Sequence, residues 1–126
     1  MQENPTSNNR LEELAIEFVQ RRDWTTMVEL QQHMSDYMEA RGDMVWEIAP
    51  GVVLWAGMSE EFANLVMGLI EKKRIFLHPT IPLTYFVDGC TLRLPVAKRP
   101  PKDGYKKDHW LPVCLRTVPP KKKQGR

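Results

Sequence analysis

The stretch "SEEFANLVMGLIEKKRIFLHPTIPLTYFVDG" (residues 59–89) decides most of what can be expected of the fold. Ser59 is a good helix N-cap because its hydroxyl can accept from free backbone N–H groups, and two glutamates follow where the helix dipole favours negative charge. Apolar residues then recur at helical spacing on one face: Phe62, Leu65, Val66, Leu69 and Ile70. The cations of "EKKR" suit the C-terminal carbonyls of this helix. The run "RIFLH" after it predicts a strand, broken by "PTIP".

The segment "TYFVDGCTLRL" (residues 84–94) carries the strongest short-range β signal in the chain. Asp88–Gly89 lies between two β-prone runs, which is typical of a two-residue type I′ hairpin turn that needs positive φ values. "LPVA" continues the second strand, and "HWLPVCLRTV" (residues 109–118) can return as one more. We therefore expect a C-terminal antiparallel β-meander.

Two further helices are expected before residue 59. The first carries an apolar stripe at helical spacing: Leu11, Leu14, Ala15, Phe18 and Val19. Thr26 and Glu29 have the spacing of a capping box and predict the start of the second helix, for which Gly42 is a suitable end. After it, "DMVWEIAPGVVLWAG" (residues 43–57) predicts two short strands, which could form a hairpin around the turn signal Pro50–Gly51.

This order of elements resembles a winged helix: two N-terminal helices, a third capped helix ending in basic residues, then strand, loop and strand. The resemblance is to a fold class, covers roughly residues 10–97 and contains no family-specific motif. It implies an α+β fold with three helices and a C-terminal antiparallel β-meander, or wing. In that family the helix before the hairpin usually enters the major groove, and the wing touches the backbone or minor groove.

Charge is distributed unevenly, although the net charge is only +2. Eleven of the eighteen Lys and Arg residues, but only two of the sixteen Asp and Glu residues, lie from Thr91 to Arg126. A basic C-terminal third on an acidic body is typical of a surface that faces a polyanion, although it also suits a solubilising tail. The third helix presents Glu60, Glu61 and Asn64 before any cation, so phosphate neutralisation would have to come from elsewhere.

The leading hypothesis is a small, non-enzymatic nucleic-acid-binding protein with a regulatory or accessory role. In the segment "AKRPPKDGYKKDHW" five cations surround Tyr105, so that they could follow a phosphate track while Tyr105 or Trp110 stacks on a base. The same lysines could equally be a solvated loop. The candidate nucleic-acid-binding residues are Lys98, Arg99, Lys102, Tyr105, Lys106, Lys107, Lys72, Lys73 and Arg74.

The alternative is a protein-interaction adaptor, which could be homodimeric. It would use an exposed apolar patch around Trp46, Trp55 and Trp110, and an edge strand could add β-augmentation. Whether the nucleic acid is DNA or RNA, and which protein would be the partner, the sequence leaves open.

Catalysis and cofactors are not indicated. The chain has no Gly-rich phosphate loop and no G-x-S-x-G elbow, so we expect no enzyme and no cofactor. Cys90, His109 and Cys114 lack the close cysteine pair of a structural zinc site, so we expect no metal. We also expect a cytoplasmic location, because the sequence shows neither a signal peptide nor an apolar run of membrane-spanning length. Residues 10–117 are expected to form one domain, with a flexible N-terminus (residues 1–9) and a basic disordered tail (residues 118–126).

Overall fold

The computed structural model describes residues 8–87, 89–97 and 104–120. This part of the chain is a mixed α+β fold, which confirms the fold class at that level. The elements are α1 (Asn8–Arg22), β1 (Thr25–Thr26), α2 (Met27–Met34), β2 (Arg41–Ala49), β3 (Val52–Met58), α3 (Glu60–Glu71), β4 (Phe76–Pro79), α4 (Pro82–Phe86), β5 (His109–Trp110) and β6 (Val113–Arg116). Most of both expected flexible ends, residues 1–7 and 121–126, lies outside the described residues.

The first sheet joins strands that are far apart in the chain. Its order is β1-β6-β4, and β6 pairs antiparallel with both neighbours. Leu115 lies opposite Thr25 on one side and opposite Leu77 on the other. Because Leu115 is fully buried, this sheet is tied to the hydrophobic core at its central strand.

The second sheet has the order β2-β3-β5 and contains the expected hairpin. β2 and β3 pair antiparallel across Pro50–Gly51, with Trp46 opposite Trp55, and the register shifts repeatedly along β2. β5 lies parallel to the start of β3 and places His109 opposite Val52. This pairing places the start of β5 beside the turn between β2 and β3.

The helices α2 and α3 begin where the sequence predicts. The Thr26 hydroxyl accepts from the Glu29 N–H, and the Glu29 carboxylate accepts from the Thr26 N–H, which confirms the capping box. The Ser59 hydroxyl accepts from the Phe62 N–H at 2.9 Å and so caps α3. α2 ends at Met34, well before the suggested end at Gly42.

The early end of α2 has a tertiary cause. The Ser59 hydroxyl donates to the Glu39 carbonyl at 2.7 Å, and the Ser59 N–H donates to the Ala40 carbonyl at 3.1 Å. These two hydrogen bonds hold the extended segment after α2 against the start of α3.

The core lies between α1, α2 and α3 and the inner faces of the sheets. Its buried members include Leu11, Ala15, Val19, Met27, Leu30, Met34, Trp55, Phe62, Val66, Leu69, Tyr85, Trp110 and Leu115. Tyr85 connects distant parts of this core, because its hydroxyl accepts from the Met27 N–H at 3.0 Å and donates to the Val113 carbonyl at 2.6 Å. A buried hydroxyl with both partners satisfied stabilises the contact between α2 and β6.

The prediction of a hairpin at Asp88–Gly89 was wrong. Residues 82–86 form the short helix α4 instead, and residues 89–94 form no strand, although Asp88 itself lies outside the described residues. Pro82 at the first position has the φ that a helix start needs, and burial of the Tyr85 ring outweighs the β propensity of "TYFV". The C-terminal meander is thus replaced, over the described residues, by a fourth helix and strands in two sheets.

Candidate functional site

The segment that carries the five cations, residues 97–109, begins and ends beside the backbone of Trp110. The Trp110 N–H donates to the Pro95 carbonyl and its carbonyl accepts from the Ala97 N–H, both at 2.8 Å. Trp110 and Ala97 are each only 2% exposed. We call residues 97–109 the basic loop; both of its ends are held at one position in the second sheet.

The returning half of the basic loop is also fastened to the β2–β3 turn. The Tyr105 N–H donates to the Pro50 carbonyl and the His109 N–H donates to the Gly51 carbonyl, both at 2.7 Å. Gly51 and Gly104 have φ values of 73° and 81°, and a Cβ atom on Gly51 would lie 2.5 Å from the Tyr105 carbonyl oxygen. Only glycine allows the two backbones to approach so closely.

Tyr105 and His109 form a stacked aromatic pair within this anchored segment. Their ring centroids are 3.6 Å apart and the rings are inclined by 14°. His109 Nδ1 lies 2.8 Å from the Lys107 carbonyl, so that this nitrogen carries the proton when it donates the hydrogen bond. Both residues are half-buried. Sequence reasoning singled out Tyr105 but missed its pairing with His109, since the turn that stacks the rings is set by contacts to Pro50 and Gly51.

The cations of the basic loop fall into two groups. Lys106 and Lys107 are exposed, and within the described residues neither forms an ion pair. Lys98, Arg99 and Lys102 lie outside the described residues. Among the acids of the region, Asp108 is exposed, while the Glu47 carboxylate accepts from the Gly51 N–H at 2.6 Å.

The cations at the end of α3 are placed differently. Lys72 Nζ lies 2.6 Å from a carboxylate oxygen of Glu12, and an Arg74 guanidinium nitrogen lies 3.9 Å from one of Glu13. Lys73 is exposed, adopts a φ of 60° and has no ion pair among the described residues. Two of these three candidate residues are therefore engaged with α1.

The adaptor hypothesis expected exposed tryptophans, and two of the three are buried. Trp55 and Trp110 are each 2% exposed, and Trp46 is half-buried against the core. The Trp55 indole donates to Gln31 Oε1 at 3.3 Å, and the Trp110 indole donates to the Leu54 carbonyl at 3.2 Å. With their N–H groups satisfied, large indole rings gain more from burial than from exposure to solvent.

A different apolar surface is exposed beside α4. A groove of about 410 Å³ is lined by Arg22, Asp23, Trp24, Thr26, Glu29, Ile81, Leu83, Thr84 and Val87. Trp24 is 47% exposed and packs under the Arg116 guanidinium, whose carbon lies 4.5 Å from the ring centroid. We call this surface the Trp24 groove.

The backbone beside the Trp24 groove is held by one ion pair. Asp23 and Trp24 have φ values of 47° and 49°, a conformation that costs energy for residues other than glycine. Arg116 donates to both carboxylate oxygens of Asp23, at 2.9 and 3.0 Å. These hydrogen bonds lower the pKa of the Asp23 carboxyl below its usual value.

Metal-ligating side chains do not cluster in the described part of the chain. Among its residues, no His, Cys, Asp and Glu side chains gather in threes or more to hold a metal ion. No helix within the same ranges has the length and apolar character needed to cross a bilayer.

No family model matches this chain, and neither curated proteins nor solved structures show significant similarity to it.

Proposed function

We propose that this protein binds nucleic acid in an accessory or regulatory role, and that its basic C-terminal third contacts the phosphates. The observation that carries the proposal is that both ends of the basic loop are hydrogen-bonded to the same part of the second sheet. Its ends meet at Trp110 and its returning half is fastened to Pro50 and Gly51. Five cations lie in the sequence between these two fastened ends, and Lys106 and Lys107 are the two of them that the structure describes.

The arrangement of the described elements supports a winged-helix-like scaffold for this function. The strands β4 and β6, which follow α3, pair antiparallel beside β1, the short strand between α1 and α2. In this proposal the long connection from β4 to β6 takes the place of a wing, and the β2–β3 hairpin is an addition between α2 and α3. A wing usually touches the nucleic-acid backbone, which suits the cations of the basic loop.

Phosphate neutralisation is assigned to the basic loop and not to α3. The N-terminal turn of α3 carries Glu60 and Glu61, which would repel phosphates. At its other end Lys72 and Arg74 are paired with acids of α1. The proposed phosphate contacts are therefore Lys98, Arg99, Lys102, Lys106 and Lys107, and a control variant tests the roles first predicted for Lys72, Lys73 and Arg74.

The test compares two sets of charge-neutral variants by fluorescence anisotropy with a labelled oligonucleotide over a range of salt concentrations. The loop variant changes the five loop cations to Gln, and the control changes Lys72, Lys73 and Arg74 to Gln. Each cation that no longer neutralises a phosphate should flatten the slope of log affinity against log salt by roughly 0.7 to 0.9. We expect this only in the loop variant, together with weaker binding irrespective of nucleotide sequence. Unchanged binding by the loop variant would refute the proposal.

A protein-interaction adaptor is the second candidate function, now on a different surface. The observation that favours it is the exposure of Trp24, Ile81, Leu83 and Val87 around the Trp24 groove. On a heparin or DNA column, retention to rising salt supports the first function. Elution at low salt, with a stoichiometric protein partner or a dimer by light scattering that is lost in Leu83→Lys, supports the second.

A further inference from the structure

The Tyr105–His109 pair indicates which form of nucleic acid the basic loop would take. The two rings are stacked at 3.6 Å, and both residues remain partly open to solvent. Hydrogen bonds to Pro50 and Gly51 fix the backbone on either side of the pair. A ring held in place before binding loses little conformational freedom when a base stacks on it.

Charge lies directly beside this pair. Lys106 and Lys107 follow Tyr105 in the chain, are exposed, and form no ion pair with any other described residue. An aromatic ring flanked by free cations can take a base and its phosphates together. In a duplex the bases are stacked on each other, so this ring would have no base face to meet.

The helix that would read a duplex, α3, carries negative charge at its N-terminal end. Glu60 and Glu61 occupy the first turn of α3, and both are exposed. A helix entering the major groove passes between two rows of phosphates, which makes exposed carboxylates at its leading end unfavourable. Just after the helix ends at Glu71, Lys72 and Arg74 form ion pairs with Glu12 and Glu13.

We propose that the segment from Gly104 to His109 binds single-stranded nucleic acid and that Tyr105, backed by His109, is the platform on which one base stacks. This inference rests on the proposed function and adds the class of ligand to it. Lys106 and Lys107 contact the phosphates beside the stacked base. His109 is a positioning residue, because it holds the Tyr105 ring and does not itself meet the base.

The experiment measures binding of the full chain to a labelled pyrimidine oligomer of about twelve nucleotides, as DNA and as RNA, and to the same sequence as a duplex. Three variants are compared at fixed low salt: Tyr105→Leu, Tyr105→Phe and the five-cation loop variant. Urea unfolding of each variant establishes that it folds. We expect the single strand to bind more tightly than the duplex, and the DNA and RNA arms show which sugar is preferred.

Tyr105→Leu should weaken single-strand binding by about 5- to 150-fold, because one base no longer has a ring to stack on. Tyr105→Phe keeps the ring and should bind as the native chain does. A duplex that binds as tightly, or a Tyr105→Leu variant without effect, would overturn the inference while the loop variant still upholds the proposed function. Binding of neither form would overturn both.

Discussion

Two basic segments of this chain look alike in sequence and differ in what they touch. "EKKR" (residues 71–74) ends α3, and its Lys72 and Arg74 lie against Glu12 and Glu13 of α1. "GYKK" (residues 104–107) lies in the basic loop, where Lys106 and Lys107 are exposed and form no ion pair with the described residues. The first segment is used within the fold, and the second leaves its charge available to a ligand.

The difference teaches that the surroundings of a cation decide its role. A lysine whose charge is balanced by a nearby carboxylate gains less from a phosphate, because the existing pair must be broken first. At Tyr105 and His109 the backbone is anchored, while the exposed Lys106 and Lys107 form no ion pair with the described residues. The predictions for Gly104 and for the paired lysines and arginine test this contrast between the two segments.

The largest effect is expected from removing the anchor under Tyr105. Gly104→Ala places a Cβ against the Pro50 carbonyl at a φ of 81°, so the loop must leave the β2–β3 turn. We expect a loss of about 2 to 4 kcal/mol in the free energy of unfolding, measured by urea denaturation, from backbone strain and displaced packing. Nucleic-acid affinity should fall with it.

Gly68→Ala is the matched control on α3. Gly68 has open space around it and lies within the helix, so Ala should raise the free energy of unfolding by up to about 1 kcal/mol. Equal stability of the Gly104→Ala and Gly68→Ala proteins would show that the basic loop is not anchored as described.

A smaller effect on the free energy of unfolding should distinguish the two basic segments. Lys72→Gln with Arg74→Gln removes two partly exposed ion pairs to α1, and we expect a loss of about 0.5 to 1 kcal/mol in the free energy of unfolding. Lys106→Gln with Lys107→Gln should leave it unchanged. A double-mutant cycle between Lys72 and Glu12 measures the pair directly, and a coupling energy of zero would contradict its structural role.

The smallest effect concerns acid pH at the Trp24 groove. Because the folded-state pKa of Asp23 is lowered, its ion pair contributes stability above the unfolded pKa of about 3.8, and this stability is lost as pH falls through the folded value. Arg116→Gln returns the pKa towards its usual range. The difference between native and variant urea midpoints should therefore shrink from about pH 6 to about pH 3. A difference independent of pH would mean that Asp23 is not held as described.

Local signals in the sequence were sufficient for the starts of α2 and α3 and for one hairpin. The capping box of Thr26 and Glu29, the Ser59 cap, and the Pro50–Gly51 turn all form where the sequence predicts them. Each of these features depends on residues within a few positions of one another, so that the chain segment itself contains the interaction. Of the candidate site, Tyr105 and its neighbouring lysines were predicted from charge and spacing alone, and their role stays a prediction.

Interactions between distant residues decided the rest. Residues 84–86 are helical because the buried Tyr85 hydroxyl is hydrogen-bonded to Met27 and Val113. Trp110 can be buried because its indole N–H donates to the Leu54 carbonyl. The two basic segments differ because Lys72 forms an ion pair with Glu12 of α1. The sequence by itself determined periodic and capped elements, whose energies are local. The tertiary structure decided which rings are buried and which cations are free, since burial and pairing depend on partners far along the chain.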